Sequence, residues 1–328
     1  MVLYSKRLKP FGIVSTMIEL GTVKICVRLR AALFENKKPL QVHSVFTSAV
    51  NIIGQDIFFS LLSSRHCLFP MSCMVSNMNS FKEYDLKEGM EVMVSEDGIF
   101  IPGANLLASL SNCKEQDLTF GNKITLFVPK DLSHKVEILK GLIEAKGSEI
   151  DFSTLITKKF RNPYADFIMK KLPEFNERIK KIDFRKSKSL RRNEIEQLGR
   201  IVEGIAGCGI GLTPSSDDML VGYMSSYLAD SIAKGYNRQE VYEVTSALGN
   251  EAYKRTNTIS GAFLKQCGMG LLSEDMSKLM HTIYSDSDRE MVKIQGQRIQ
   301  NFGSTSGTDM LTGVVLAIVN LNGGDKFG

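Results

Sequence analysis

The sequence predicts an α+β protein, a β-rich N-terminal domain followed by an all-helical C-terminal domain, on three observations. Short β-branched and aromatic runs, one of them strictly alternating, fill the first 130 residues. From Leu132 onward the apolar residues recur at helical spacing. A segment rich in Gly, Ser and Asp then occurs twice in the helical part, each time where a helix starts. The boundaries this implies are 1–130 for the β-rich domain, 131–192 for a helical, basic connector and 193–328 for the helical domain.

Taken in order, Val23 to Leu29 alternates apolar and polar with period two, as a half-buried strand does. The stretch Ser44 to Ile53 reads as a helix, or equally as a strand followed by a turn. Val92–Val94 and Gly98–Ile101 are strands joined through Glu96-Asp97-Gly98, a hairpin signal, and Lys123–Val128 is a further β-branched run. Leu132, Val136, Leu139 and Ile143 then share one helical face. Later stripes run through Ile195–Ile205, Met219–Leu228, Val241–Leu248, Met276–Ile283 and Met310–Ile318.

Composition narrows the class. A chain of 328 residues with 43% hydrophobic and 23% charged side chains can bury two ordinary cores, which excludes disorder and collagen-like repeats. A net charge of +5 is too mild to demand nucleic acid or membrane. The longest apolar run, Gly313 to Leu321, spans half of what a membrane helix needs, and Pro10 and Glu19 interrupt any leader-like stretch. Six cysteines form no C-x-x-C pair and four histidines are scattered, so neither a disulfide framework nor a zinc site is expected. The expectation is a soluble, reduced, cytoplasmic protein. Between Lys170 and Arg192 ten Lys/Arg face Glu174, Glu177 and Asp183, a local net of +7 that leaves −2 elsewhere. With only Phe175 and Phe184 interleaved, a solvated helix face explains that run better than nucleic-acid binding does.

The chemistry lies in Gly207-Cys208-Gly209-Ile210-Gly211-Leu212-Thr213-Pro214-Ser215-Ser216-Asp217-Asp218. Glycines in alternation permit positive φ and let backbone N–H groups approach a ligand. Thr213 suits an N-cap and Pro214 the first helical position, so a helix N-terminus with free donors and a partial positive charge is expected to bind an anion. Neighbouring residues on a helix diverge by about 100°, so Asp217 and Asp218 cannot serve one point. One is expected to cap backbone N–H groups and the other to face the cleft, orienting a substrate amide or holding Mg²⁺. The loop lacks the G-K-[ST] of a Walker A motif, and a helix rather than a strand precedes it.

A second copy, Gly303-Ser304-Thr305-Ser306-Gly307-Thr308-Asp309-Met310-Leu311-Thr312-Gly313, shares D-M-L-x-G with Asp218–Gly222. An approximate internal duplication follows, with two helix N-termini converging on one site and small Gly222 and Gly313 letting the helices approach. Thr256 and Ser260, after Lys254 and Arg255, offer further hydroxyls to an anion, although helix capping by Thr258 or Ser260 explains them as well. His43 stands out weakly in the first half, where a lone histidine is more often structural than basic.

The run G-x-G-x-G-L-T-P-S-S-D-D-M-L-x-G resembles the signature of the AllH-like family, subunits linked to oxamate carbamoyltransferase of anaerobic allantoin degradation. Val42-His43-Ser44-Val45-Phe46 with Asn51, Thr256 to Ser260, and Gly303 to Gly313 are similar to three further elements of that family; the connector and residues 56–104 match none. The resemblance implies reversible phosphorolysis of oxalurate to oxamate and carbamoyl phosphate, in a complex with two other subunit types. On it, Asp218 and Asp309 are the candidate catalytic residues. Gly209, Gly211, Thr213, Ser215, Ser216, Asp217, Thr256, Ser260, Ser304, Thr305, Ser306, Gly307 and His43 are the candidates for holding the small anionic substrate. No dedicated metal ligands are expected, Mg²⁺ is the one cofactor the aspartates admit, and a homo-oligomer is compatible with the pattern. A non-catalytic, regulatory small-anion binder would use the same pocket.

Overall fold

The computed structural model describes residues 17–323 apart from Arg65, Asn77, Lys123 and Ile124, and the side chain of Leu190. The chain divides into two compact units, 1–118 and 119–328.

The first unit is a closed β-barrel. Its strands are β1 (Ile18–Cys26), β2 (Leu40–Val45), β3 (Ala49–Gly54), β4 (Phe58–Ser63), β5 (Ser72–Val75), β6 (Glu91–Val94), β7 (Gly98–Ile101), β8 (Leu106–Ser109) and β9 (Lys114–Gln116). The order is β5-β4-β3-β2-β6-β7-β8-β1-β9. β1 pairs in parallel with β8 through Ile18–Gly21 and antiparallel with β5 through Thr22–Ile25, so eight strands close and β9 flanks β1. Closure removes the exposed edges an open sheet would present. Val42, Ile52, Phe59, Leu61, Cys73, Ile99 and Leu106 form its apolar core.

The structure chooses between the two readings of one segment and changes the reading of another. Ser44–Ile53 is not a helix: Ser44 pairs Asn51 and Val45 pairs Val50 across a hairpin of β2 and β3, because β-branched residues at every second position bury one face of a sheet. The alternation from Val23 stops at Cys26, and α1 (Val27–Glu35) follows, burying Leu29 and Leu33 four residues apart. Arg-Ala-Ala-Leu is a run of good helix formers, which outweighs the two-residue period read there. Of the run 123–128, Lys123 and Ile124 lie outside the described residues. Thr125–Val128 joins no sheet; Phe127 N–H donates to Tyr284 O at 3.0 Å, inside the second unit.

That unit is helical: α2 (Leu132–Lys146), α3 (Thr154–Thr157), α4 (Pro163–Met169), α5 (Leu172–Lys180), α6 (Lys188–Glu203), α7 (Ser215–Ala233), α8 (Arg238–Tyr253), α9 (Thr258–Gly268), α10 (Glu274–Ile283), α11 (Arg289–Gln300) and α12 (Ser306–Asn322). The basic segment is part of this body. Leu172, Phe175 and Ile179 of α5 and Leu198 and Val202 of α6 join the same core as α7 and α12. Lys181 pairs with Glu177 and Arg192 with Glu196 on exposed faces, while buried Arg191 reaches Glu240 of α8. Among the described residues no helix is long and apolar enough to cross a membrane.

α7 and α12 pack at the centre, and the reason is written in their repeats. A Cβ on Gly222 would stand 1.9 Å from Met310 O, and one on Gly313 would stand 1.9 Å from Met219 O. Each glycine therefore seats the other helix's backbone at the residue after the repeat's aspartate, an approximate two-fold relation that only a missing side chain permits.

Candidate functional site

The glycine loop before α7 is held from within. Gly207, Gly209 and Gly211 take φ of +75°, +132° and +101°, conformations closed to most side chains. Gly207 N–H donates to Asp217 Oδ1 at 2.7 Å, and Cys208 N–H donates to Ser216 Oγ at 2.8 Å. Ser216 N–H returns to Cys208 O at 3.0 Å. Thr256 Oγ1 donates to the other Asp217 oxygen, and buried Ser260 lies against the same carboxylate. Asp217, Ser216, Thr256 and Ser260 thus join the loop, α7 and the start of α9. Burial pushes the Asp217 carboxyl up, against the pull of the Gly207 N–H and the Thr256 hydroxyl.

Helix ends also differ slightly from expectation. α7 begins at Ser215 with Pro214 in the N-cap position, one residue later than the sequence implied, and α9 is capped by Asn257, whose Oδ1 accepts from Ile259 and Ser260 N–H. Relieved of capping, Thr213 Oγ1 lies 3.0 Å from Ser306 Oγ, joining the two helix N-termini directly.

Asp218 and Asp309 occupy equivalent places behind that contact. Asp218 is buried on α7, and the hydroxyls of Ser306 and Thr213 reach its carboxyl. Asp309 is buried on α12, and its Oδ1 accepts Phe152 N–H at 2.6 Å while the Ser215 hydroxyl reaches the same carboxyl. The first residue of each helix therefore serves the aspartate of the other. The repeat, extended by the structure, is S-x-x-D-M-L-x-G: Ser215 to Gly222 and Ser306 to Gly313. Oδ2 of Asp218 and Oδ2 of Asp309 are buried with no protein partner, a costly arrangement for a carboxylate. Burial raises Asp218 to about 7, and burial with the repulsion of Asp218 and Asp151 holds Asp309 well above the usual carboxylate range.

The remaining candidates distribute around this centre. Gly307 packs against the end of α11, where a Cβ would stand 2.1 Å from Ile299 O. Thr305 is half-buried in the N-cap position of α12 and Ser304 is exposed beside it. Gly209 and Gly211 lie in the loop, and among the described residues no protein acceptor takes the N–H groups of Gly209, Ile210, Gly211 or Leu212. His43 belongs to the barrel unit. Its Nδ1 lies 3.2 Å from Ser44 Oγ, which accepts from Asn51 Nδ2 at 3.0 Å; Asn51 Oδ1 accepts from Ser60 Oγ at 2.7 Å. This polar chain runs across β2, β3 and β4.

Sequence reasoning missed the segment 148–163, which it placed in the helical, basic connector without a role. There Asp151 accepts from Ser148 and Ser153 N–H, fixing the turn that presents Phe152 N–H to Asp309. The signal was present as Asp151-Phe152-Ser153, an aspartate two residues before a serine, the pattern of an Asx turn. Among the described residues no three metal-ligating side chains gather.

Fold and site together define a class: a β-barrel unit followed by a helical unit in which two duplicated helix N-termini enclose a pair of carboxyls. The sequence model of the oxamate carbamoyltransferase subunit AllH matches residues 205–318, and that of the AllH family N-terminal domain matches residues 21–115. Together they span more than half of the chain and include residues 56–104, where no element of the family was legible. The chain belongs to the AllH family, a family of carbamoyltransferase subunits. As a subunit family it implies further subunits. No solved structure matches the chain.

Proposed function

We propose that this chain carries the substrate site of a carbamoyltransferase complex, binding carbamoyl phosphate or phosphate together with an oxamate-like acceptor. The reaction is oxalurate + phosphate = oxamate + carbamoyl phosphate, as a step of allantoin breakdown, with two other subunit types. The observation that carries the reading is the pair of buried, unpartnered oxygens of Asp218 and Asp309 behind two converging helix N-termini. A carbamoyl group offers N–H donors and a carbonyl acceptor to such a pair. The open N–H groups of residues 209–212 and the hydroxyls of Thr213 and Ser304–Ser306 suit a phosphate. Mg²⁺, if used, would share its shell between one aspartate and substrate oxygens, as that ion commonly does.

Thermal unfolding of the full chain with phosphate, carbamoyl phosphate and oxamate, each with and without Mg²⁺, tests this. A ligand at a hundred times its Kd adds about 2.7 kcal/mol. A shift with carbamoyl phosphate that is lost in Asp218→Asn is the expected result. No shift with any of the three sinks the claim that this chain holds the site.

A further inference from the structure

Phosphorolysis of oxalurate moves one proton. The attacking phosphate, HPO₄²⁻, loses it as its oxygen bonds to the ureido carbon; the oxamate nitrogen needs it as the C–N bond breaks, because an amide anion is a poor leaving group. Carbamoyl phosphate and oxamate then carry the four hydrogens and the three negative charges that oxalurate and phosphate brought. A site for this reaction needs one base and one acid, returned to their starting states by the same turnover.

The two repeats supply a matched pair. Asp218 and Asp309 sit at equivalent positions of packed helices, each with its Oδ2 buried without a partner, while Asp309 Oδ1 accepts Phe152 N–H. The charges that act on them are carboxylates: Asp217 on Asp218, and Asp218 and Asp151 on Asp309. Two buried carboxyls that repel one another do not both ionise readily.

We propose that Asp218 and Asp309 work as a proton-shuttling pair in carbamoyl transfer: the Asp218 carboxylate takes the proton of the attacking phosphate, and the Asp309 carboxylic acid protonates the departing amide nitrogen. The proton then passes from Asp218 to Asp309, and the pair is ready again; in the reverse direction the two exchange roles. Ser306 and Thr213 on one side, and Phe152 N–H with Ser215 on the other, are positioning groups that hold each carboxyl. The assignment agrees with the direction of their coupling, in which the charge of Asp218 holds the proton on Asp309. It rests on the carbamoyl-transfer reading and names the atoms that perform it.

Carbon-13 NMR of the full chain labelled in its aspartate carboxyls tests the pair without any turnover. The expected result is one signal titrating near neutrality, absent from Asp218→Asn, and an Asp309 signal that moves to lower pH in Asp218→Asn, where the neighbouring charge is gone. An Asp218 signal in the ordinary aspartate range, or an Asp309 signal unmoved by Asp218→Asn, overturns the shared titration and the shuttle with it. Turnover of oxalurate and phosphate by the assembled complex supplies the second measurement. Each asparagine variant is expected to lower kcat at least a hundredfold while leaving KM for phosphate within about threefold. A variant within tenfold of wild-type kcat overturns the shuttle and leaves the binding site standing. Absence of carbamoyl transfer by the wild-type complex overturns both readings, even with the neutral titration in place.

Discussion

The N-terminus of α7 and that of α12 begin from the same residues, S-x-x-D-M-L-x-G, and end in different surroundings. At α12 the residue before the shared aspartate is Thr308; at α7 it is Asp217, which grips Gly207 N–H and Thr256 and so ties a three-glycine loop to α9. Asp309 receives a backbone N–H from Phe152, whereas the groups that reach Asp218 are hydroxyls. The duplication explains why the helices cross symmetrically and why each serine serves the opposite aspartate. The asymmetry comes from what packs behind each copy.

The largest effect should come from the shared feature. Gly222→Ala and Gly313→Ala each drive a methyl into a carbonyl of the other helix, and each should cost about 3 kcal/mol or more in urea unfolding. Equal losses support the two-fold relation; a loss confined to one variant breaks it. Next comes the feature only α7 has. Asp217→Ala removes two hydrogen bonds and should cost about 2 kcal/mol, with faster amide exchange across residues 207–213, while Thr308→Ala in the matching place should leave that loop unchanged.

The pH dependence sharpens the contrast further. Asp218 holds its proton to about 7 in the folded chain but only to about 3.8 when unfolded. Its contribution to stability is therefore complete below about 3.8 and is lost as pH rises through 7. Denaturation at pH 5 and pH 8 should show Asp218→Asn gaining on the wild type by up to about 1.4 kcal/mol per pH unit within that window. No gain would place Asp218 among ordinary carboxylates. Thr213→Ala, which cuts the link to Ser306, should cost about 1 kcal/mol. Lys181→Gln on the basic face should leave the unfolding midpoint where it is, because exposed ion pairs contribute little.

Much of this comparison was legible in the residues. D-M-L-x-G is visible as a repeat, and the divergence of neighbouring helical side chains is enough to separate the roles of Asp217 and Asp218. The full repeat was not legible, because Ser215 and Ser306 matter only by reaching across to the other helix. Nor was Phe152, whose contribution is a backbone N–H that any residue but proline would carry. The alternatives left open at Ser44–Ile53 show the same limit: its apolar residues fit either period locally, and pairing with β4 and β6 selects the strand.

Local sequence was enough to determine the two-part architecture, the helical stripes, the glycine loop and the two acidic helix starts, because these follow from side-chain periodicity and from the backbone freedom of glycine. Closure of the barrel, the reciprocal contact of serine and aspartate, and the weakened acidity of Asp218 and Asp309 were decided by tertiary structure. Each depends on groups far apart in the chain being buried together, and the cost of burying a charge is set by its neighbours in space.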